Sequence, residues 1–178
     1  MQRVADIKAP QSSTIPSDRA FAEILRPLIE PGFRLALAML RDRSAAEDAV
    51  QEASLTAWRK LGTMRDRGRV RPWFFGIVAN KCRNSRRHRW LTRVSLGIPE
   101  EVVVASREDD SLRRADLRAA VGRLPHDDQL VVVLYFYLDL PLEEVAVAVG
   151  ASVAATRGRL YRAVNRLRPD VDIEEAIK

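Results

Sequence analysis

A chain of 178 residues with 47% hydrophobic and 30% charged residues is long enough for one ordinary domain or two small ones. Its single cysteine, Cys82, excludes an internal disulfide and a zinc cluster built from several cysteines, and no apolar run approaches the roughly 20 residues needed to span a bilayer. The net charge of +6 favours an acidic partner such as nucleic acid or an anionic membrane surface. Residues 1–17 are polar and lack the apolar core of a signal peptide, so we expect a disordered leader and a cytoplasmic protein.

Two apolar stripes at helical spacing follow the leader, over residues 21–29 and 33–40. Pro27 and Pro31 should disturb the first helix, because proline lacks the backbone N–H that a helix interior requires. Gly32 is the residue at which this helix is expected to end. The sequence therefore predicts two short helices in this part of the chain.

The next helix is predicted over residues 45–61. Ser44 precedes it as the expected N-cap, and Glu47 stands three residues further on, at the spacing of a capping box. Gly62 is expected to end the helix. These signals place the helix boundaries more firmly than those of the preceding segment.

Residues 71–90, RPWFFGIVANKCRNSRRHRW, combine three aromatics at one end with a cluster of arginines at the other. They follow a polar, arginine-rich loop at 63–70, and a helix is predicted from 71 to 88. Aromatic faces stack on unpaired bases and arginines hold phosphates. A helix with an apolar buried end and a solvated charged end explains the same pattern. Helical spacing in any case places at least one of the aromatics in the core.

The composition changes over residues 94–112, which contain five acids and one base. Gly97 and Pro99 interrupt regular structure here, so the segment is predicted to be a flexible acidic linker between two domains. The predicted boundaries are 18–92 for the first domain, 93–111 for the linker, 112–170 for the second domain and 171–178 for a C-terminal tail.

The segment LVVVLYFYL, residues 130–138, has the single-residue propensities of a β-strand. A strand needs a partner to satisfy its backbone hydrogen bonds, and the chain offers no second strand of similar quality. We therefore predict an apolar helix buried among its neighbours. Pro125 is expected to separate it from the helix before it.

A helix–turn–helix is the most specific pattern in the sequence. Pro141 starts a short helix at 142–149, and Gly150 supplies the positive φ that the tight turn requires. Ser152 caps a last helix over 153–168, which carries five arginines and no acid. Such a helix fits the major groove of DNA, although a solvated amphipathic helix at the end of a bundle shares the pattern.

Four arginines of this last helix are the candidate contacts to duplex DNA. Arg159 and Arg162 are predicted to reach base edges or phosphates, and Arg157 and Arg166 flank them and should mostly hold phosphates. The first domain is also polarised, because residues 45–61 carry an acidic and amide patch whereas residues 65–93 hold ten Lys/Arg and one Asp. That division suits two simultaneous partners, a basic protein surface and a nucleic acid.

The chain resembles the sigma factors of bacterial RNA polymerase, specifically the small extracytoplasmic-function (ECF) group of the sigma-70 family. Three segments carry the resemblance in the family's order: SAAEDAVQEASLTAWRKL, RVRPWFFGIVANKCRNSRRHR and LRAAVGRLPHDDQLVVVLYFYLDLPLEEVAVAVGASVAATRGRLYRAVNRLR. It implies an all-α fold of two small domains, a sigma region 2 bundle and a sigma region 4 helix–turn–helix. The recognition helix departs from the family's usual Gly-Thr-Val-Lys-Ser-Arg opening, because residues 154–159 read AATRGR and lack two of its hydroxyls.

The resemblance also implies roles for individual residues. The helix 45–61 would dock on the clamp helices of the polymerase's largest subunit, and the residues implied in that contact are Asp48, Gln51 and Glu52. The loop 63–70 and the helix 71–89 would open and read the −10 promoter element through Arg67, Arg69, Arg71, Trp73, Asn80, Arg83, Asn84 and Arg87. The second domain would bind the −35 element and the polymerase flap.

Two other classes of function fit the sequence less well. A free-standing helix–turn–helix regulator would need a ligand pocket and usually a self-associating surface, and the polarised first domain fits a polymerase subunit better. An enzyme is not expected, because the sequence has no Gly-rich phosphate loop or metal-ligand cluster and only two histidines, His88 and His126. We predict no catalytic residue, cofactor, metal, membrane or small-molecule substrate. The predicted partners are core polymerase, promoter DNA and an anti-sigma protein.

Overall fold

A computed structural model describes residues 18–64, 66–96 and 112–168. Within these residues the fold is entirely helical, as predicted, and the segment 130–138 forms no strand. The predicted leader at 1–17, linker residues 97–111 and the tail at 171–178 lie outside the described residues. No helix in the described ranges is sufficiently long and apolar to cross a bilayer.

Seven α-helices in the described residues make up two domains. The N-terminal domain contains α1 (Asp18–Leu40), α2 (Arg43–Leu61) and α3 (Val70–Leu96), with a 3-10 turn at Arg67–Arg69 before α3. The C-terminal domain contains α4 (Leu112–Arg123), α5 (His126–Val132), a π-helical turn at Val133–Tyr137, α6 (Leu142–Val149) and α7 (Val153–Leu167).

The prediction of two short helices before residue 41 is wrong, because α1 is one helix with Pro27 and Pro31 inside it. Each interior proline costs about 3 kcal/mol in lost hydrogen bonding and ring contacts. Burial of a continuous apolar stripe, which includes Leu25 and Leu35, offsets that cost. Gly32 serves packing rather than termination, since a Cβ there would lie 3.0 Å from Cε1 of Phe74.

The start of α2 also differs from the prediction. Asp42, not Ser44, is the N-cap, and its carboxylate accepts a hydrogen bond from the Ala45 N–H at 3.0 Å. Glu47 forms an ion pair with Arg43 at 2.9 Å instead of closing a capping box. Aspartate and serine side chains can both accept hydrogen bonds from the unpaired N–H groups of a first helical turn. In this helix Asp42, two residues before Ser44, takes that role. The helix ends at Leu61, as predicted.

Helix α3 is longer than predicted, ending at Leu96 rather than His88. No proline or glycine interrupts the sequence between these positions, so the helix continues until Gly97 follows it. Its last residues therefore enter the segment assigned to the linker. The exact domain boundaries stay predictions.

The segment 130–138 is helical, but the prediction that it is buried all round is wrong for its three aromatics. Tyr135, Phe136 and Tyr137 are 37%, 58% and 54% exposed, whereas Leu130 and Leu134 are fully buried. The π-helical turn explains the difference, because its wider spacing rotates the aromatic side chains out of the apolar stripe. The Arg34 guanidinium covers the Tyr137 ring at 5.7 Å.

The helix–turn–helix is confirmed in its local detail. Gly150 adopts φ 69°, and the Ser152 hydroxyl accepts a hydrogen bond from the Ala155 N–H at 3.2 Å. Thr156, Ala163 and Leu167 of α7 are buried. The opposite side of α7 therefore faces outward.

The two domains are packed against each other, a contact that no sequence pattern predicted. A single apolar core contains Phe74, Phe75 and Val78 of α3 together with Val145 and Ala148 of α6. The C-terminal domain keeps a smaller core of its own, whose buried members are Ala120, Leu124, Val132, Ala163 and Leu167.

Candidate nucleic-acid and protein interfaces

The outward side of α7 carries the most accessible candidate DNA contacts. Arg157 and Arg162 are exposed, and Tyr161 between them in sequence is 68% exposed. Thr156 fixes the rotation of the helix, because its side chain is buried and its hydroxyl donates to the Ser152 carbonyl at 2.9 Å. Both exposed guanidinium groups are thus available to a nucleic-acid phosphate or a base edge.

The other two candidate arginines of α7 face acids at the start of α5. Nη1 of Arg159 lies 3.8 Å from Oδ2 of Asp127, and Arg166 forms an ion pair with Asp128. Asp128 is buried, so the second pair is part of the domain's packing. Among the residues that the structure describes, carboxylates therefore pair with Arg159 and Arg166 but not with Arg157 or Arg162.

The three aromatics at the start of α3 separate into two groups. Phe74 and Phe75 are 0% and 1% exposed and belong to the core, and Trp73 is half-buried against that core. Of the three, Trp73 is the aromatic that a base could approach. The expectation that at least one aromatic is structural is correct, and helical spacing alone could not say which.

The basic turn before α3 is exposed and held by one carboxylate. Asp66 accepts a hydrogen bond from the Gly68 N–H at 2.9 Å and lies 3.3 Å from Nε of Arg69. Arg67 and Arg69 both extend into solvent. Arg87, further along α3, is exposed as well.

Two other candidate DNA residues on α3 are exposed but form ion pairs with acids of the C-terminal domain. Nη1 of Arg71 lies 3.6 Å from Oε2 of Glu144, and Nη2 of Arg83 lies 2.9 Å from Oδ1 of Asp127. Asn80 supports the second of these by accepting a hydrogen bond from Arg83 at 3.1 Å. In this arrangement their charges are satisfied by protein carboxylates.

The candidate polymerase contacts lie on the exposed side of α2, beside a groove of about 470 Å³ between α2 and α3. Asp48 and Glu52 line this groove, and Gln51 is exposed nearby. Asn84 of α3 lines the same groove. Asn84, predicted as a DNA contact, thus lies beside the candidate polymerase contacts Asp48 and Glu52.

Sequence reasoning missed the groups that connect the domains. Arg41 donates to the Arg118 carbonyl across the interface, and Gln129, which is buried, donates to the Ala38 carbonyl at 3.1 Å. The adjacent acids Asp127 and Asp128 begin two residues after Pro125, and this pattern is a visible signal of a helix start with negative charge in its first turn. No signal in the sequence marks Arg41 or Gln129.

Burial shifts the pKa of Cys82 and of His126 in opposite directions. Burial raises the pKa of the Cys82 thiol to about 12, so this cysteine is an unreactive core residue. Burial lowers the pKa of His126, the Arg86 and Arg83 charges lower it further, and Asp127 opposes them. Both ring nitrogens of His126 are buried without a hydrogen-bond partner in the described structure. No group of three or more potential metal ligands occurs among the described residues.

Comparison with known proteins matches both domains. Residues 24–92 match the family description Sigma-70 region 2, and residues 114–167 match Sigma-70, region 4. The RNA polymerase sigma factor SigV of Bacillus subtilis is 28% identical over 145 residues, covering 80% of this chain and 86% of SigV. The ECF RNA polymerase sigma factor SigE of Mycolicibacterium smegmatis is 28% identical over 154 residues, covering 82% of this chain and 59% of SigE.

A solved structure shares the fold across both domains. The sigma factor RpoE of Bartonella quintana, solved in complex with the anti-sigma factor NepR, superposes with a TM-score of 0.72 at 24% identity, covering 86% of this chain and 98% of that one. The family descriptions, the relatives and the shared fold agree with one another. The chain belongs to the sigma-70 family of bacterial RNA polymerase sigma factors, in the ECF group.

Proposed function

We propose that this chain is a promoter-recognition subunit that brings core RNA polymerase to −35 and −10 elements and opens the DNA for initiation. It has no catalytic step of its own, acts in the cytoplasm, and works through binding energy alone. The observation that carries the proposal is the division of the N-terminal domain into an acidic α2 face, with Asp48 and Glu52 exposed, and a basic α3 with its preceding turn. One small domain thereby presents an acidic surface to a protein partner and a basic surface to a nucleic acid.

The contacts proposed for duplex DNA lie on α7. Arg157 and Arg162 are exposed there, whereas Thr156, Ala163 and Leu167 of the same helix are buried. Helices presented in this way enter the major groove and combine phosphate contacts with base-edge contacts. This supports binding of the −35 element by the C-terminal domain.

The contacts proposed for the −10 element lie on the basic turn and α3. Arg67, Arg69 and Arg87 are exposed and suited to the phosphates of a single strand, and Trp73 is half-buried and so partly accessible to a base. Capturing an unstacked base shifts the equilibrium between closed and open DNA without any covalent chemistry. Melting is therefore proposed to follow from preferential binding of the open strand.

The proposed protein partners are core polymerase and an anti-sigma protein. The first is proposed to contact Asp48, Gln51 and Glu52 through its clamp helices and the C-terminal domain through its flap. The second is proposed from the complex in which the similar RpoE was solved.

Run-off transcription with core polymerase tests the function directly. Core polymerase with the chain is expected to give discrete transcripts from genomic DNA fragments, whereas core polymerase alone should not. Mapping the start sites then defines the −35 and −10 sequences. A chain that neither co-purifies with core polymerase in stoichiometric amounts nor yields specific transcripts would be a free-standing regulator instead.

A further inference from the structure

The C-terminal end of α3 presents a tryptophan to solvent. Trp90 is 62% exposed, and its neighbour Leu91 is 49% exposed. Tryptophan is highly buried on average in folded proteins, because its ring removes a large apolar area from water. Trp90 also lies outside the apolar cores that the described residues form. The ring is therefore accessible to a partner and is not used in the packing of those cores.

The surroundings of Trp90 are basic. Residues 83–93 hold five arginines and no acid. Arg83 and Arg87 precede Trp90 by seven and three residues, so at 3.6 residues per turn all three lie on one face of α3. Both arginines are exposed and belong to the surface proposed to bind the −10 element. Trp90 thus continues that surface toward the C-terminal end of the helix.

Arg89 anchors this end of α3 to the start of α2. Its Nη1 lies 3.1 Å from Oδ2 of Asp42, the N-cap of α2. Adjacent residues are about 100° apart around a helix, so the anchored Arg89 leaves Trp90 on a different side of α3. A side chain on an anchored turn loses less conformational freedom on binding than one on a fraying helix end.

The connection to the C-terminal domain determines which way α3 lies along promoter DNA. The −35 and −10 elements are about 25 base pairs apart by their positions, which is about 85 Å of B-form DNA at roughly 3.4 Å per base pair. Residues 97–111, between α3 and α4, reach about 55 Å when fully extended. With its N-terminal end toward −35, α3 would add its own length of about 40 Å to the gap. The chain therefore bridges the two elements only with the C-terminal end of α3 toward −35.

This direction places Trp90 beside the DNA between the two elements. Trp90 follows Trp73 by 17 residues. That separation is about 25 Å of helix, or about seven base pairs. Only the −10 element is proposed to open, so the DNA at this distance toward −35 is duplex. An indole ring offers an apolar face to deoxyribose, and its Nε1–H is a donor that suits a phosphate oxygen.

We propose that Trp90, with Arg87 beside it, binds the sugar–phosphate backbone of the spacer, the duplex between the −35 and −10 elements. This inference rests on the proposed function, because it takes promoter DNA as the ligand. The contact lies at the opposite end of α3 from the basic turn at Arg67–Arg69. It is independent of the spacer sequence, because sugar and phosphate are the same at every base pair.

Trp90→Ala tests the contact in holoenzyme assembled from core polymerase and the full chain. The DNA is a fork made from a mapped promoter, with the spacer as duplex and the −10 element single-stranded. The variant should bind this fork about tenfold more weakly than the wild type, the loss expected for one hydrogen bond to a charged group. It should bind a single-stranded oligonucleotide of the −10 element alone as the wild type does. Equal binding of the fork by both chains, or an equal loss on both DNAs, overturns the proposal.

Ile29→Ala is the matched control, because it truncates another exposed apolar side chain of the N-terminal domain. It should bind both DNAs as the wild type does. Circular dichroism and urea unfolding check that both variants fold, as expected for changes at exposed positions. If Trp90→Ala weakens binding to core polymerase in the absence of DNA, Trp90 is a protein contact and the proposal is overturned.

Methylphosphonate substitution locates the contact on the DNA. Neutralising one spacer phosphate about seven base pairs from the base at Trp73 should weaken binding of wild-type holoenzyme, and Trp90→Ala should be insensitive to the same change. A new spacer sequence of the same length should leave the tenfold effect of Trp90→Ala unaltered. Equal sensitivity of both chains at every spacer phosphate counts against this contact alone. Failure of wild-type holoenzyme to bind the fork counts against the proposed function, and the contact falls with it.

Discussion

Lys81 of α3 extends across the groove to Glu52 of α2, with 3.0 Å between Nζ and Oε2. One of the proposed polymerase contacts is therefore already paired within its own domain. The Glu52 side chain is 64% exposed, so the pair contributes about 0–1 kcal/mol to stability and a basic partner can displace it. Asp48 lines the same groove, is exposed, and gives the cleaner test of the polymerase surface.

Asp48→Lys should weaken binding to core polymerase at least about tenfold, because it places a positive charge against a basic partner surface. Biolayer interferometry with immobilised core polymerase measures the effect. Glu47→Lys makes the same charge change one residue away, about 100° around the helix, and should bind nearly as well as the wild type. Equal losses in the two variants would show that net charge, and not the proposed surface, determines binding.

Arg162→Ala should weaken binding to the −35 duplex that start-site mapping defines. If the guanidinium reaches a guanine edge, the loss should be about 1–3 kcal/mol and specificity at that base should relax. If it holds a phosphate, the loss should be uniform across sequences and the salt slope should fall by about one unit. Fluorescence anisotropy over a salt series separates the two. Arg59→Ala, an exposed arginine at the end of α2, is the control, and an Arg162→Ala chain that matches it would contradict the docking of α7.

The local signals in the sequence predicted the features that depend on a few neighbouring residues. Gly150 and Ser152 fix the turn and cap of the helix–turn–helix through one backbone angle and one hydrogen bond. Both are properties of the residue itself, which is why a single sequence suffices to recognise them. The prediction of a helix at 130–138 is confirmed for a different reason. A β-strand needs a neighbouring strand to pair its backbone hydrogen bonds, and the sequence offers no second strand of similar quality.

The features that depend on distant residues could not be predicted. Pro27 and Pro31 are strong local breakers, yet the burial of α1 against α2 and α3 outweighs them. Likewise Arg83 looked like a solvated or DNA-binding arginine, and only the folded chain places it against Asp127, 44 residues away. Pairing between domains depends on shape and proximity, which residue spacing along one helix does not encode.

Two glycines of the C-terminal domain should respond to alanine with opposite signs. Gly150→Ala should lower the free energy of unfolding by about 1–2 kcal/mol, because a Cβ is unfavourable at φ 69°, although no atom lies within 4 Å of it. Gly158→Ala should raise it by about 0.5–1 kcal/mol, because glycine is unfavourable inside a helix. Urea unfolding followed by circular dichroism measures both. Destabilisation of similar size at both positions would contradict the assignment of Gly150 as a conformational requirement.

Cys82 should report on unfolding of the N-terminal domain. Its side chain is fully buried and its pKa is about 12, so at pH 8 it is almost entirely the unreactive thiol. Ellman's reagent should therefore label the native chain far more slowly than the urea-unfolded chain, with a rate that rises along the unfolding transition. Rapid labelling under native conditions would place Cys82 at the surface instead of in the core.

His126 should make the folded chain less stable in mild acid. Burial and the Arg86 charge lower its pKa in the folded state, so the unfolded chain, with a pKa of about 6.5, binds the proton more tightly. The two states differ little at pH 8, where the imidazole is neutral in both, and folding loses stability as the pH falls below about 6.5. His126→Gln should show a smaller loss between pH 7.5 and 5.5 in urea unfolding than the wild type does. Identical pH profiles for the wild type and His126→Gln would mean that the acid response arises from other groups.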